Sequence, residues 1–323
     1  MKSKRVLFII GICALLLCTF CGSAFAAGAD KFPQRSIKVI VPFAAGGGGD
    51  LSARALLKFV DFGQPAVVVN IPGAGSVIGT MEAFNSPADG YTLLSNTPAG
   101  MIIGKINELY EPDVAREMIP LVVMGVDNPV FCVGKDSPLK TAQAFFDYAR
   151  TNPGKLRLGA NGMTTMYTSA LIIQDVAGIE VNYVSFDSGT KSRAALLGGH
   201  VETLLAPIGE NRSLIEAGDI VPLFVLSEER SPFLPDVPTM IELGYDAIGC
   251  LGTRGFWAPA GTPEEIVQKL EAALVKGMQN PEFKKVYLDM GIEPVEWDRV
   301  TTQKWIEANS IYYKELIEKY GKK

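Results

Sequence analysis

Short apolar runs broken by glycine-rich turns recur along most of the chain. Ser36–Pro42 alternates and then runs apolar, the pattern of a strand entering a core. Ala66–Asn70 and Tyr91–Ser95 repeat it, and residues 51–58 and 77–84 between them carry apolar positions at helical spacing. Strand–helix–strand alternation of this kind predicts a parallel sheet with helices on its faces. Val130–Val133 reads as the chain crossing into a second lobe. Strands are expected there over 156–158, 181–184, 201–205 and 221–226, with helices over 141–151, 164–177, 191–197 and 208–217. Gly255–Pro259 reads as a return strand. A long amphipathic helix then runs to Met278 with Pro263 in its first turn, and two more helices cover 280–290 and 301–320.

One device repeats. The strand ends at 43–50, 70–76, 95–100, 159–165 and 186–190 are rich in Gly, Asn, Ser or Thr and lead into a helix. In a doubly wound sheet such ends open into one crevice. Helix N-termini there offer free N–H groups and partial positive charge, a setting for a carboxylate, phosphate or sulfate. Glycine lets the ligand approach the backbone. Single segments say little. Gly46–Gly49 lacks the Lys-Ser/Thr of a P-loop, and Gly73, Gly75 and Gly79 are spaced one residue too widely for a dinucleotide fingerprint.

The first residues add a compartment. Lys2, Lys4 and Arg5 precede an apolar run from Val6 to Phe20 and the small-residue site Ala24-Phe25-Ala26. That is the layout of a secretory signal peptide over residues 1–26, and the run is shorter than the roughly 20 apolar residues of a membrane span. Lipid anchoring at Cys18 or Cys21 is the rival. It is disfavoured because Leu17 and Phe20, not small residues, precede the cysteines. A retained anchor helix comes third. Export implies a periplasmic site of action and argues against chemistry that needs ATP, NAD or a reducing compartment; no cofactor is expected.

Composition narrows the chemistry further. The chain has 30 Lys and Arg against 35 Asp and Glu, and losing the three basic leader residues leaves 27 against 35, a net −8. This surface does not suit nucleic acid. Of five cysteines, only Cys132 and Cys250 follow the leader. Both read as buried small apolar residues, with a disulfide as the minority alternative. His200 is the only histidine, in a turn where exposure is expected. No metal site is expected, and a hydrolase needing a histidine base loses support. The roughly 297 mature residues exceed one typical core, so two lobes are expected.

Seven ordered motifs together resemble a known family. They are Val41-Pro42-Phe43-Ala44-Ala45-Gly46-Gly47-Gly48-Gly49-Asp50, Asn70-Ile71-Pro72-Gly73-Ala74-Gly75, Pro87-Ala88-Asp89-Gly90-Tyr91-Thr92-Leu93, Asn152–Leu156, Leu196–Glu202, Leu234–Thr239 and Ala258–Pro263. The chain resembles the substrate-binding proteins of tripartite tricarboxylate transporters, the TctC or Bug-type periplasmic receptors. The resemblance implies an α/β, two-lobed, type II-like Venus flytrap with a doubly wound sheet in each lobe. Lobe 1 would comprise 27–129 plus 252–323, and lobe 2 would comprise 130–251. Such a receptor, expected as a monomer, hands a small organic acid to membrane permease subunits. Phe43, Ala44, Ala45, Gly46, Gly47, Gly48, Gly49 and Asp50 would form one jaw. Ala160, Asn161, Gly162, Met163, Thr164 and Thr165 would form the other, with ordered water bridging to the ligand.

Gly75, Ser76, Asn96, Thr97 and Phe186 are further candidate contacts, and Asp187 is expected to order its loop. Asp50 either meets a ligand hydroxyl or amine, or caps the following helix. Arg254, in a run resembling the family's Trp-Arg-Gly, either grips a carboxylate with its planar fork or makes a surface salt bridge. Some positions depart from the family. Ala45 stands where proline is frequent, Ile71 where arginine is, Met163 where serine is, and Ala206-Pro207-Ile208 where many members carry aspartate. These departures bear on the ligand's distal half and lean toward a partly apolar substituent. Two other classes compete: an exported enzyme on the same scaffold, and a sensor partner presenting ligand to a membrane kinase. The first lacks a histidine base, a nucleophile elbow and metal spacing.

Overall fold

A computed structural model describes residues 31–162, 165–186, 188–246 and 252–320. The leader, Met163, Thr164, Asp187 and Cys250 lie outside the described residues, so the expectations placed on them stay as stated.

The chain begins with β1 (Ile37–Val41), α1 (Gly48–Leu57), β2 (Ala66–Asn70), α2 (Val77–Phe84), β3 (Thr92–Asn96), α3 (Pro98–Ile106), α4 (Val114–Glu117) and β4 (Ile119–Asp127). It continues through β5 (Pro129–Gly134), α5 (Ala142–Thr151), β6 (Arg157–Asn161), α6 (Thr165–Ala177), β7 (Asn182–Phe186), α7 (Gly189–Leu197), β8 (Thr203–Pro207), α8 (Ile208–Glu216) and β9 (Ile220–Val225). It closes with β10 (Gly252–Ala258), α9 (Glu264–Met278), α10 (Pro281–Asp289), β11 (Glu293–Trp297) and α11 (Arg299–Tyr320).

The strands form two sheets, one for each lobe of a two-lobed α/β fold. The first is ordered β11-β4-β10-β3-β1-β2 and the second β7-β6-β8-β5-β9. The purely parallel expectation holds only for β2-β1-β3 and β7-β6-β8. Both sheets are mixed. β10 runs antiparallel to β3 and β4, β11 to β4, and β5 to β8 and β9. The reason is connectivity: β4 passes straight into β5 through Asn128 alone, without a crossover helix, so β5 enters the second sheet against the direction of its neighbours. Val130–Val133 therefore lie inside a strand, and the passage between sheets precedes them.

β4 has no counterpart among the expected elements. Its sequence, Ile-Pro-Leu-Val-Val-Met-Gly-Val-Asp, does not alternate because eight of its nine residues are buried. A strand covered on both faces reads as a continuous apolar run.

Three apolar clusters hold these layers. Ile37, Val39, Leu56, Phe256, Leu270 and Tyr287 pack on one face of the first sheet. Cys132, Leu204, Val225 and Ile208 pack on one face of the second. The remaining faces share one cluster that runs from Ile40, Leu94 and Trp257 to Phe131, Phe145 and Phe224. Ile306, Tyr313 and Leu316 of α11 belong to that shared cluster, and Lys319 reaches Asp175 of α6 at 3.0 Å. The terminal helix thus packs against both lobes. His200 is exposed, as its turn sequence suggests, and Cys132 is a buried free thiol.

Candidate functional site

The registers place one set of strand ends opposite the other. β4 runs in the same direction as β3, because both are antiparallel to β10. Its last residue, Asp127, therefore lies on the edge where β1, β2 and β3 end. On the other side of Asn128, Pro129 pairs with Pro207, the last residue of β8, so β5 starts where the parallel strands of the second sheet end. The carboxyl edges of both sheets meet across the crossing. Loops 43–47, 71–76 and 97 open from one edge, and, among the described residues, 161–162, 165, 188 and 207–208 from the other.

The first loop is built by its own polar atoms. Gly47 N–H donates to the Ala44 carbonyl at 3.1 Å, and Gly46 takes φ +76°, a conformation glycine supplies without cost. Asp50 is not the cap: that position is Gly47, and Asp50 sits in the first turn of α1, only 3% exposed. Its carboxylate accepts from Gly46 N–H at 2.9 Å, Arg54 Nε at 2.8 Å and Asn70 Nδ2 at 3.0 Å. Asn70 also donates to the Phe43 carbonyl at 3.0 Å, tying the end of β2 to the loop. Burial works against the Asp50 charge, yet the Gly46 N–H, the Asn70 amide and Arg54 outweigh it and hold the carboxyl below its ordinary value. Phe43, half-buried, lies against Gly49, where an added Cβ would stand 2.7 Å from its ring. Ala44, Ala45 and Gly46 are exposed, while Gly47, Gly48 and Gly49 are half-buried.

The second loop is strained. Ala74 and Ser76 have positive φ (45° and 84°) and alternate with the positive-φ glycines Gly73 and Gly75. Non-glycine residues rarely adopt this region, and such strain gathers at ligand clamps. Asn96 is buried and its amide donates to Thr80 Oγ1 at 2.9 Å, while Thr97 Oγ1 caps α3 by accepting from Gly100 N–H at 3.2 Å. On the opposite edge Ala160 is buried and Asn161 exposed. Gly162 N–H donates to the Phe186 carbonyl at 3.0 Å, and its own carbonyl accepts from Tyr183 Oη at 2.5 Å. Thr165 and Phe186 are half-buried at the ends of that edge.

The helix N-termini at the two sheet edges are not equivalent. Thr97 caps α3 and Ser188 caps α7, while Asp127 Oδ1 accepts from Gly209 N–H of α8 at 3.1 Å. α1 and α2 have Gly47 and Ser76 at their N-cap positions, with no side-chain cap hydrogen bond. At α2 the Val77 N–H already donates to the Ala74 carbonyl, whereas the first N–H groups of α1 have no side-chain partner.

Arg254 lies beside one of these. It immediately precedes Gly255, the β10 residue facing the end of β3, and its side chain is 13% exposed. A Cβ on Gly48 would stand 3.1 Å from its Nη2. Its one ion pair among the described residues is Asp127, at 3.5 Å, and its buried Nε has no hydrogen-bond partner. A buried guanidinium next to a positive helix end, with a long contact to its counter-ion, is under-satisfied. The surface-salt-bridge alternative does not describe it, since Asp127 is only 2% exposed.

Asp127 escaped the sequence reading. Its one signal is an Asp-Asn pair interrupting two apolar runs, Leu121–Val126 and Val130–Val133. Burial pushes its carboxyl up to about 6, against the pull of Arg254 and Gly209 N–H, while Glu210 adds to the rise. Among the described residues, no group of three or more His, Cys, Asp or Glu is placed to hold a metal, and no helix is long and apolar enough to cross a membrane.

Two α/β lobes joined at a strand crossing, with the carboxyl edges of their sheets meeting there, have the architecture of a solute-binding protein. The chain belongs to the tripartite tricarboxylate transporter family of receptors (TctC), whose pattern matches residues 54–322. It is 33% identical over 303 residues to the UPF0065 protein in the gbd 5′ region of Cupriavidus necator, covering 91% of this chain and 90% of the relative. Periplasmic binding protein BugD superposes with TM-score 0.77 at 26% identity, over 90% of this chain and 99% of BugD. An R. palustris protein with adipate superposes with TM-score 0.79 at 26% identity, over 90% of this chain and 98% of the other. The family is one of periplasmic solute-binding proteins.

Proposed function

We propose that the protein captures a small organic carboxylate between its lobes, outside the cytoplasm, and delivers it to the permease of a tripartite tricarboxylate transporter. The observation that carries this reading is the pairing of Arg254 with the uncapped N-terminus of α1. Two partial or full positive charges converge there on backbone N–H groups that no side chain uses. An acid group satisfies both at once. The adipate carried by a relative of the same fold supports the ligand class.

In this reading, residues 43–49 form the jaw on the first sheet and 160–165 the jaw on the second. Lobe 1 ends and lobe 2 begins at Asn128, and β10 returns the chain to lobe 1. Gly75, Ser76, Thr97 and Phe186 line the flanks, and Asp50 and Asn96 act by shaping their loops, because chain partners already occupy their polar atoms. A ligand that touches both jaws favours the closed arrangement of the lobes.

A thermal-shift screen against mono-, di- and tricarboxylates tests the reading, followed by calorimetry on Arg254→Ala. The expected loss is about 1.5–3 kcal/mol, the worth of hydrogen bonds to a charged group. A screen without a stabilising acid, or unchanged affinity in the variant, would overturn it.

A further inference from the structure

Building on Arg254 as the ligand's anchor, we propose that Asp127, which faces that guanidinium at the crossing between the lobes, competes with the ligand acid for it, so that capture takes up a proton and tightens as pH falls. Asp127 ends β4 at the crossing between the lobes. One of its oxygens accepts from Gly209 N–H of α8 in the second sheet's lobe, and the other faces Arg254 at 3.5 Å. A single buried carboxylate therefore touches both the candidate anchor and the opposite lobe.

The surroundings are only half satisfied. Asn128 Oδ1, Asn211 Oδ1, Thr253 Oγ1 and Arg254 Nε are all buried without a hydrogen-bond partner, and all belong to the crossing or the elements flanking it. Buried orphans are uncommon and call for an explanation. A network left in this state has more than one arrangement of similar energy, and a ligand or a proton can choose between them.

The charged groups facing Asp127 are few. Arg254 comes from β10, and Glu210 comes from α8, held by Arg193 of α7 at 3.9 Å. Tyr287 of α10 faces Arg254 and donates its phenol proton to the Ser52 carbonyl at 3.3 Å. Gly209 packs against the backbone carbonyls of Met290 and Gly291, which bring no charge.

Burial already pushes Asp127 up to about 6. A ligand carboxylate on Arg254 adds a second negative charge and withdraws the cation, and both changes raise it further. The sign follows from linkage. The bound form holds the proton more tightly than the free form, so affinity grows as pH falls through the bound-state value and levels off below about 6, where free Asp127 is already protonated. In mechanism, the proton leaves solvent for Asp127, the Asp127–Arg254 contact breaks, and the guanidinium transfers its hydrogen bonds to the ligand.

The test is isothermal titration of adipate, or of the acid the thermal-shift screen selects, between pH 6 and 8 in buffers of different ionisation enthalpy. Wild-type protein should take up protons on binding, and its Kd should fall by roughly five-fold or more from pH 8 to pH 6. Asp127→Asn should bind at every pH at least as tightly as wild type does at pH 6, without proton uptake. Equal pH slopes in the two proteins, or loss of binding in Asp127→Asn, overturn the proposal. If that variant does not fold, carbon-13 NMR of the Asp127 carboxyl in wild-type protein decides: an apparent pKa that rises on ligand addition supports it, and an unmoved one refutes it. Arg254→Ala separates the layers. Wild-type affinity in that variant removes the anchor itself, whereas lost affinity with an Asp127 indifferent to ligand removes only the competition. If no acid binds, both fall.

Discussion

Replacing Asp50 with asparagine keeps the side chain's size and removes its charge at the heart of the first loop. One carboxylate oxygen accepts from Gly46 N–H, and the other from Arg54 and Asn70. An amide can serve only one of these sides and turns a donor toward donors on the other. The Arg54 share is small, because its side chain is 45% exposed and solvent screens the pair. The Gly46 and Asn70 bonds are shielded, and hydrogen bonds to a charged group contribute about 1.5–3 kcal/mol each. One lost bond and the lost charge come to about 3 kcal/mol, measured as the shift in urea unfolding at pH 7. The pH dependence has a sign. The folded Asp50 carboxyl lies below its ordinary value of 3.8, so its stabilisation is complete above the unfolded value and lost as pH falls through the lower folded value. The gap between wild type and variant should therefore close in strong acid. A variant within about 0.5 kcal/mol of wild type at neutral pH would refute the idea that Asp50 organises the loop.

Three further outcomes follow from the same packing. Gly79→Ala should destabilise by about 1–3 kcal/mol in the same urea assay, because the new methyl would stand 2.5 Å from the Ile71 carbonyl oxygen and 2.9 Å from Pro42 Cα, both main-chain atoms. Cys132 is a buried free thiol, and burial pushes its ionisation far up, so a thiol reagent should label it only after denaturant is added; labelling of native protein would contradict its place in the core. A reductant should leave the melting temperature unchanged, and a clear drop would mean that a disulfide contributes.

Much of the fold could be read from the chain because the parallel halves alternate strand and helix with glycine at each strand end. β1, β2, β3, β6 and β7 and the helices behind them announce themselves through that rhythm. What escaped did so for identifiable reasons. β4 is buried on both faces and carries no period, and without it the mixed direction of both sheets could not be inferred. β11 contains a proline and follows a helix closely, which hides it. The glycine loops were legible as loops, and Asp50 as a residue of consequence. Its role changed from cap to brace because the helix begins three residues earlier than the sequence suggests. Arg254 carried a sequence signal, whereas Asp127 carried almost none. The pair exists only because β4 and β10 become neighbours across more than a hundred residues.

The most direct measurement is a crystal structure of the protein with the acid that stabilises it most. A carboxylate held by the N–H groups at the start of α1, within reach of Arg254 and facing residues 161–165, is the predicted result. An acid bound away from these groups, or side chains filling the space between the two sheet edges, would contradict it.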